Sequence, residues 1–253
     1  MNNIAICLLC VKPNQIHLDF FNSIRNYKLY MLCDDSNCQF YDNINIEFIK
    51  IDDVECFNHG FKNSNCFVVK NPSAWDKVFY YFTKINPNNF DYVWILEDDV
   101  FVPNNNAFSN LDHKYGDADL LCRSNICNSN LNDWQLWYTA NNKYELPWYC
   151  SMVCCCRISK KLFDEIGKYV DEKGELFFIE SMINTIANHK KLFIKEVEEF
   201  ENIIAKASEG NRYRHFSNGK IIWMTKNIPN IRENYLYHPV KNIELHEKLR
   251  IKK

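Results

Sequence analysis

Glycine is scarce in this sequence, with only six among 253 residues. No two glycines stand close enough to form the glycine-rich loops that bind dinucleotides or phosphates, or the sharp turn that exposes a catalytic serine in many hydrolases. The sequence therefore argues against dinucleotide-dependent dehydrogenases, P-loop nucleotide hydrolases and α/β-hydrolases.

A net positive charge and a long apolar segment are also absent. The 30 Lys and Arg residues are outnumbered by 32 Asp and Glu residues, so the net charge is −2 and we expect no nucleic-acid partner. The longest apolar run, Ile4 to Val11, has about half the length of a membrane-spanning helix. No basic residue precedes it and Lys12-Pro13 follows it, so it predicts a buried first strand rather than a signal peptide. We therefore expect a cytoplasmic protein without a membrane span.

Cysteine is abundant, with twelve residues, but its spacing does not favour a structural zinc site. Cys7 and Cys10 form a C-x-x-C pair inside an apolar strand, where their side chains would point to opposite faces. Cys154, Cys155 and Cys156 also lie in a strand-like run, and no second C-x-x-C pair occurs. We expect most of these thiols to be small buried apolar groups in a reducing compartment.

The hydrophobic pattern alternates between strands and helices. Apolar or alternating runs predict strands at 3–11, 27–33, 44–51, 92–96 and 151–157. Helical periodicity predicts helices at 16–27, 73–85, 159–170 and 175–189, and polar composition predicts loops at 104–110 and 125–133. This pattern is typical of an α/β protein with an open, mostly parallel sheet flanked by helices. Because no repeat or low-complexity linker interrupts the chain, we expect one domain covering residues 1–253.

Three consecutive carboxylates at the end of the fourth predicted strand are the sharpest feature. Glu97, Asp98 and Asp99 follow an apolar strand, and apolar residues resume directly after them. In open α/β sheets ligands bind beyond the carboxyl ends of strands, and crowded like charges repel one another unless a cation neutralises them. Glu97 and Asp99 would point to the same side of an extended backbone and could hold one divalent ion. The alternative is an exposed acidic turn, but the apolar surroundings favour a site.

The run from Trp94 to Val102, W-I-L-E-D-D-V-F-V, resembles the D-x-D region of GT-A fold glycosyltransferases, which transfer a sugar from a nucleotide-sugar donor. The resemblance implies a GT-A-like fold with a nucleotide-sugar-binding half at 1–103 and an acceptor-side half at 104–253. It also implies Mn²⁺ or Mg²⁺ as the cofactor, a nucleotide-sugar donor with UDP-sugars favoured, and a glycan or protein acceptor.

The resemblance implies roles for individual residues as well. Asp99 matches the metal ligand of the motif, and Glu97 matches the acid that touches the ribose or the metal through water. The residues expected around the nucleotide sugar are Val11, Lys12, Asp34, Asp35, Asp76, Lys77, Glu97 and Asp98. For Lys77, a solvated helix face is the alternative.

Two later residues are further candidates. Glu180 lies among apolar residues near a predicted helix start, where burial would raise its pKa toward that of a general base. The alternative for Glu180 is a favourable interaction with the helix N-terminus. His238 stands in Y-L-Y-H-P-V-K, and the resemblance implies a late histidine that completes the metal site, with a nearby lysine facing the phosphates. The alternative for His238 is a structural role.

Aromatic residues are concentrated before the predicted strand at 151–157. Sugar rings stack on aromatic side chains, and core packing is the competing interpretation. These aromatics are Trp134, Trp137, Tyr138, Trp148 and Tyr149.

The sequence as a whole favours a metal-dependent glycosyltransferase, with Glu180 as the catalytic base and Glu97, Asp99 and His238 at the metal. One alternative is another carboxylate- and metal-dependent phosphoesterase or nuclease. Phosphatases with an aspartyl nucleophile normally carry their D-x-D on the first strand, whereas here that strand ends in Cys10-Val11-Lys12. The other alternative is a non-catalytic carbohydrate-binding protein of the same fold. The donor sugar, the acceptor and the stereochemistry stay open.

Overall fold

The computed structural model of the chain describes residues 3–34, 45–63, 71–129, 134–203 and 230–250. Its strands are β1 (Ile4–Cys10), β2 (Lys28–Cys33), β3 (Ile46–Ile49), β4 (Tyr92–Glu97), β5 (Leu120–Cys122), β6 (Ile126–Cys127), β7 (Tyr149–Cys150), β8 (Cys155–Ser159), β9 (Ile194–Glu196), β10 (Asn202–Ile203) and β11 (Tyr237–His238). Its α-helices are α1 (Gln15–Ser23), α2 (Asp53–Asn58), α3 (Ala74–Tyr80), α4 (Ala107–Lys114), α5 (Lys160–Lys173), α6 (Ile179–His189) and α7 (Ile243–Leu249). None of the helices in these segments is long and apolar enough to cross a membrane.

Seven strands form one sheet in the order β3-β2-β1-β4-β8-β5-β9. The first four strands of this order run parallel to one another. β8 is antiparallel to both of its neighbours, and β9 is parallel to β5. The predicted α/β class with an open, mostly parallel sheet flanked by helices is confirmed.

β1 lies in the middle of the parallel half and is buried on both faces. Its side chains alternate between two cores, because successive residues of a strand point to opposite sides. Cys7 packs in a core with apolar residues of α3, α5 and α6, and Cys10 packs in a core with apolar residues of α1 and α4. The first apolar run is thus a buried strand, and its two cysteines lie on opposite faces, as predicted.

Several element boundaries differ from the prediction, and three of these differences bear on the packing. The loop prediction at 104–110 is wrong over its second half, because Phe108 and Leu111 lie buried on one face of α4. α6 starts at Ile179 rather than at residue 175, since Phe177 is already packed in the core before the helix begins. β8 starts at Cys155, so residues 151–154 precede the strand and do not belong to it. The predicted boundaries thus err mainly where apolar residues are buried outside regular structure.

The segment around β11 joins the chain that follows β4. The backbones of Phe101 and Tyr237 exchange two hydrogen bonds, with N–O distances of 2.8 and 3.1 Å. The Val240 N–H also donates to the Asp99 carbonyl over 2.8 Å. Residues 237–241 are therefore held directly beside the carboxylates at the end of β4.

Candidate active site

The three consecutive carboxylates lie at a turn and not on an extended backbone. β4 ends at Glu97, and the Val100 N–H donates to the Glu97 carbonyl over 3.0 Å. The reason given above for Glu97 and Asp99 pointing to the same side is therefore wrong. The two carboxylates nevertheless lie near the same side chain, the imidazole ring of His238.

His238 faces both acids through one ring nitrogen. Its Nε2 atom lies 3.4 Å from Asp99 Oδ1 and 3.9 Å from Glu97 Oε2. Asp99 is 5% exposed, and its second oxygen, Oδ2, accepts a hydrogen bond from Lys241 Nζ. Glu97, Asp99, His238 and Lys241 thus converge, although they come from segments about 140 residues apart.

The two carboxyl groups at this site, Glu97 and Asp99, have pKa values shifted in opposite directions. Burial raises the pKa of Glu97, and the nearby charge of Asp99 raises it further. Burial also acts to raise the pKa of Asp99, but His238 and Lys241 outweigh it and hold that pKa well below its usual range. Asp99 is therefore ionised beside Lys241, whereas at Glu97 burial and the charge of Asp99 outweigh His238 and Lys241. Such a site attracts a cation.

The ligand atoms fit a hard divalent cation. Neighbouring ligands in an octahedral shell about 2.1 Å from Mg²⁺ stand about 3 Å apart. The separation of 3.4 Å between Asp99 Oδ1 and His238 Nε2 is close to that value. Asp99 Oδ1 is buried and, within the described segments, has no hydrogen-bond partner. Asp99, Glu97 and His238 could therefore hold Mn²⁺ or Mg²⁺, directly or through water.

Cys154 is a further potential ligand that the sequence did not reveal. Its Sγ atom, a Glu97 carboxylate oxygen and a His238 ring nitrogen all lie within 4.8 Å of one another. The Glu97 N–H donates to the Cys154 carbonyl over 2.9 Å, which continues the pairing of β4 with β8 and fixes Cys154 beside the acid. Only this strand register brings the thiol to the site, and no spacing between cysteines encodes it.

A cavity of about 130 Å³ adjoins the acids and contains Glu180 in its wall. Trp75, Asp76, Glu97 and Cys154 also line it. Glu180 lies in the first turn of α6, which fits the helix-terminus interpretation, and its catalytic role stays a prediction. Burial, and then the charge of Glu97, raise the pKa of Glu180 to about 8. A carboxyl group with this pKa exchanges protons near neutral pH.

The tryptophan and the aspartate before Lys77 are fixed by different bonds. Trp75 Nε1 donates to Glu97 Oε1 over 2.8 Å, which orients that carboxylate. Asp76 Oδ2 accepts hydrogen bonds from the backbone N–H and the hydroxyl of Ser73, in a capping box at the start of α3. Its Oδ1 is buried without a partner in the described segments, and burial raises the pKa of Asp76 to about 6. Asp76 thus caps α3 and also lines the cavity.

Lys77 is buried, with 2% of its side chain exposed, so the solvated-face alternative is wrong. Its Nζ atom lies 2.7 Å from Asp34 Oδ1 and 2.6 Å from Asp53 Oδ1. Asp34 directly follows β2, and its N–H donates to the Cys10 carbonyl at the end of β1. Lys77 therefore ties α3 to the carboxyl ends of the first two strands, where the resemblance places the nucleoside.

Replacing Lys77 is expected to destabilise the fold. In Lys77→Met, the Asp34 and Asp53 carboxylates lose their shared counter-charge, and we expect the free energy of unfolding to fall by about 2–3 kcal/mol, since both acids keep some contact with water. Urea unfolding at neutral pH measures this loss. Lys84→Met is the matched control, because Lys84 pairs with Asp171 at the surface and should cost less than about 1 kcal/mol. Equal losses in the two variants would contradict the buried role of Lys77.

The remaining donor-side candidates lie around the loop that follows β1. Val11 is 62% exposed, and Lys12 is exposed as well. Asp98 faces this loop, and the Val11 N–H donates to its carboxylate, although burial and Asp99 raise the pKa of Asp98 overall. Asp35 lies outside the described residues. The structure thus brings Val11, Asp98 and Asp34 to the same end of the sheet.

The aromatic residues form a connected group beside the cavity. The Trp134 ring stacks on Phe178, which lines the cavity, with 6.2 Å between ring centroids. The ring centroid of Trp137 lies 4.6 Å from that of Trp134 and 6.3 Å from that of Trp148. Trp134 and Trp148 pack against the core while staying partly exposed, and Tyr138 is 45% exposed. Core packing therefore accounts for part of this group, and stacking of the partly exposed rings on a sugar stays a prediction.

Larger cavities lie elsewhere in the fold. One of about 470 Å³ is lined by lysine and glutamate side chains of α5 and its surroundings. These side chains pair mainly with one another, as Lys168 and Lys190 do with Glu165. That cavity does not include the acids at the end of β4, so its size does not make it the candidate active site.

Similarity to solved structures decides the fold. An active-site mutant of LgtC matches 97% of this chain and 94% of its own chain, with a TM-score of 0.50 and 13% sequence identity. The chain has the GT-A fold. The GT-A fold expected from the W-I-L-E-D-D-V-F-V segment is thereby confirmed.

Two further solved structures were also found. The galactosyltransferase LgtC in complex with donor and acceptor sugar analogues matches 75% of this chain and 72% of its own, with a TM-score of 0.43 and 14% identity. The bifunctional glycosyltransferase WbbM matches 79% of this chain and 39% of its own, with a TM-score of 0.43 and 9% identity. No protein-family model matches the chain, and no curated protein matches it.

Proposed function

We propose that this protein is a metal-dependent glycosyltransferase that moves a sugar from a nucleotide-sugar donor to a hydroxyl acceptor. The observation that carries the proposal is the convergence of Glu97, Asp99, His238 and Lys241 at the end of β4, with Glu180 in the adjoining cavity. LgtC, whose fold the chain shares, is a galactosyltransferase, which supports sugar transfer as the kind of reaction.

The donor would be bound at the carboxyl ends of β1, β2 and β4. Asp99, Glu97 and His238 would hold Mn²⁺ or Mg²⁺, and that cation would offset the negative charge of the donor diphosphate and of the leaving group. Lys241 supplies a second positive charge next to Asp99. Val11, Lys12 and the Lys77–Asp34 pair border the nucleoside, for which we favour uridine.

Glu180 would act on the acceptor side. Among the described residues, no side chain forms a hydrogen bond with its carboxyl group, which leaves both oxygens available to an acceptor hydroxyl. In its ionised form it takes the proton of that hydroxyl as the glycosidic bond forms. The partly exposed rings of Trp134 and Trp148 offer apolar faces for a glycan acceptor, and a protein acceptor would present its hydroxyl at the same cavity.

The competing functions fit the site less well. A phosphatase with an aspartyl nucleophile would need an acid on the first strand, whereas β1 ends at Cys10 and is followed by Val11-Lys12. A purely carbohydrate-binding protein has no need of a half-buried Glu180 whose pKa is raised at an energetic cost. Most cysteines of the described segments are buried in the core as small apolar groups, in line with the cytoplasmic location that we propose.

Thermal unfolding with nucleotides tests the proposal. UDP together with Mn²⁺ is expected to raise the melting temperature by about 5–10 °C at one hundred times the dissociation constant, because ligands that bind only the native state stabilise it by about 2.7 kcal/mol. UDP without Mn²⁺, and UMP with Mn²⁺, should each give a clearly smaller shift, because the first lacks the cation and the second lacks the diphosphate. If no nucleoside diphosphate stabilises the protein in Mn²⁺, the glycosyltransferase proposal is wrong.

A further inference from the structure

The group of potential ligands at the end of β4 includes a sulfur atom. Glu97, Cys154 and His238 come from three distant parts of the chain, and their ligand atoms all lie within 4.8 Å of one another. Cys154 is buried, with 2% exposure, and lines the cavity that contains Glu180. Its neighbours Cys155 and Cys156 are equally buried but do not belong to the ligand group. The fold therefore brings the Cys154 thiol next to Glu97 and His238, and the presence of three consecutive cysteines does not by itself explain this position.

We propose that Cys154, Glu97 and His238 bind a thiophilic divalent cation of the Zn²⁺ class, with Cys154 Sγ as a direct ligand. The inference concerns the cation site used by the proposed function, but it does not depend on sugar transfer. A sulfur, a nitrogen and a carboxylate oxygen are the three ligand types that Zn²⁺ takes in proteins. Three protein ligands leave a fourth tetrahedral position open for water or a donor oxygen, which is the arrangement of catalytic zinc sites.

The distances are close to those that such a site requires. With one Zn–S bond near 2.3 Å and Zn–N or Zn–O bonds near 2.0–2.1 Å, tetrahedral ligand atoms stand about 3.3–3.6 Å apart. His238 Nε2 and Glu97 Oε2 are 3.9 Å apart, and the whole group fits within 4.8 Å. Shifts of about 1 Å or less in the side chains therefore complete the site.

The chemistry of the ligand set selects among cations. Thiolate ligands favour Zn²⁺ and other soft ions over Mg²⁺ and Mn²⁺, which prefer oxygen. With the Cys154 thiolate and the Glu97 carboxylate as ligands, the two negative charges balance a divalent ion. Asp99 lies beside His238 and accepts from Lys241, so it stays next to the bound ion without being counted among these three ligands. A site of only Glu97, Asp99 and His238 would lack a sulfur ligand and so would not favour Zn²⁺ in this way.

Cobalt spectroscopy tests the inference without an activity assay. Co²⁺ replaces Zn²⁺ in tetrahedral sites, and a thiolate ligand adds an intense near-ultraviolet charge-transfer band. We expect this band in the wild-type protein and in Cys155→Ser, the matched control in the adjacent buried thiol, and its loss in Cys154→Ser. Affinity for Zn²⁺ should fall by more than about 100-fold in Cys154→Ser, since even the loss of an indirect partner costs 10–100-fold. Affinity for Mn²⁺ should change far less.

X-ray absorption on the wild-type protein keeps the test decisive if Cys154→Ser fails to fold. With one equivalent of Zn²⁺, a sulfur scatterer near 2.3 Å supports the inference, whereas a shell of only nitrogen and oxygen overturns it. A cobalt band that persists in folded Cys154→Ser overturns it as well, because another thiol is then the ligand. Stabilisation by UDP and Mn²⁺ is measured separately and tests only the proposed function. A missing sulfur ligand would overturn the zinc inference and leave the proposed function standing, and a missing response to UDP and Mn²⁺ would do the opposite.

Discussion

Asp99→Asn is expected to abolish the Mn²⁺-dependent binding of a nucleoside diphosphate, with a loss of affinity of more than about 100-fold. Asp99 Oδ1 lies beside His238 Nε2, and Oδ2 accepts from Lys241, so the carboxylate serves the cation and the ammonium at once. An amide keeps the shape but removes the negative charge that both cations need. Calorimetric titration of UDP in the presence and absence of Mn²⁺ measures the loss.

Asp98→Asn is the matched control for this prediction. Asp98 is the adjacent acid, but it interacts with the loop after β1 through the Val11 N–H and does not belong to the His238 group. Its loss should weaken nucleotide binding by less than about tenfold. Similar losses in the two variants would show that the cation is shared among all three acids, and unchanged Mn²⁺-dependent binding in Asp99→Asn would remove that residue from the site.

The second large effect is expected in Glu180→Gln, which should lower the rate of sugar transfer by about 10²–10⁴-fold. Glutamine keeps the size of the side chain in the wall of the cavity but does not accept the proton of the acceptor hydroxyl. Binding of UDP with Mn²⁺ should stay near the wild-type value, because Glu180 is not among the cation ligands. A transfer assay paired with calorimetry separates these two quantities.

The pH profile gives the same prediction an independent readout. Because the pKa of Glu180 is raised to about 8, its base form declines about tenfold for each pH unit below that value. We expect kcat/KM to rise with pH up to about 8 and then to level off. In Glu180→Gln we expect this pH-dependent rise to be absent. A bound cation partly cancels the charge of Glu97, so saturating Mn²⁺ should move the limb to lower pH.

His238→Ala is the complementary variant to Glu180→Gln. It removes a ring nitrogen that lies 3.4 Å from Asp99, so Mn²⁺-dependent nucleotide binding and turnover should fall together. Normal transfer in Glu180→Gln, or a loss of nucleotide binding there, would mean that the acceptor site lies elsewhere.

The strand order and the acidic site differ in how far the sequence could predict them. The apolar runs of β1 and β4 are long and uninterrupted, so burial in a parallel sheet follows from local pattern alone. Glu97 and Asp99 were recognisable because charge follows directly on an apolar strand. α4 was missed in part, because the three asparagines directly before it outweigh Phe108 and Leu111 in any local pattern.

Contacts between distant segments could not be predicted. The pairing of Lys77 with Asp34 and Asp53, and that of Lys241 with Asp99, depend on tertiary packing that no short window contains. Cys154 reaches Glu97 only through the antiparallel register of β8 with β4. The resemblance to GT-A enzymes supplied His238 as a candidate but gave no reason to expect sulfur beside it.

The order in which the ribosome synthesises the residues of the candidate site has a consequence for folding during synthesis. All seven strands of the main sheet are complete by Glu196, whereas His238 is made 139 residues after Asp99 (238 − 99). At typical elongation rates this interval lasts on the order of 10 s, and during it the acids at the end of β4 stand without His238 and Lys241. A nascent chain stalled before residue 237 should therefore lack the histidine that faces both acids, and in a synthesis time course, competence to bind the cation should appear later than burial of the sheet.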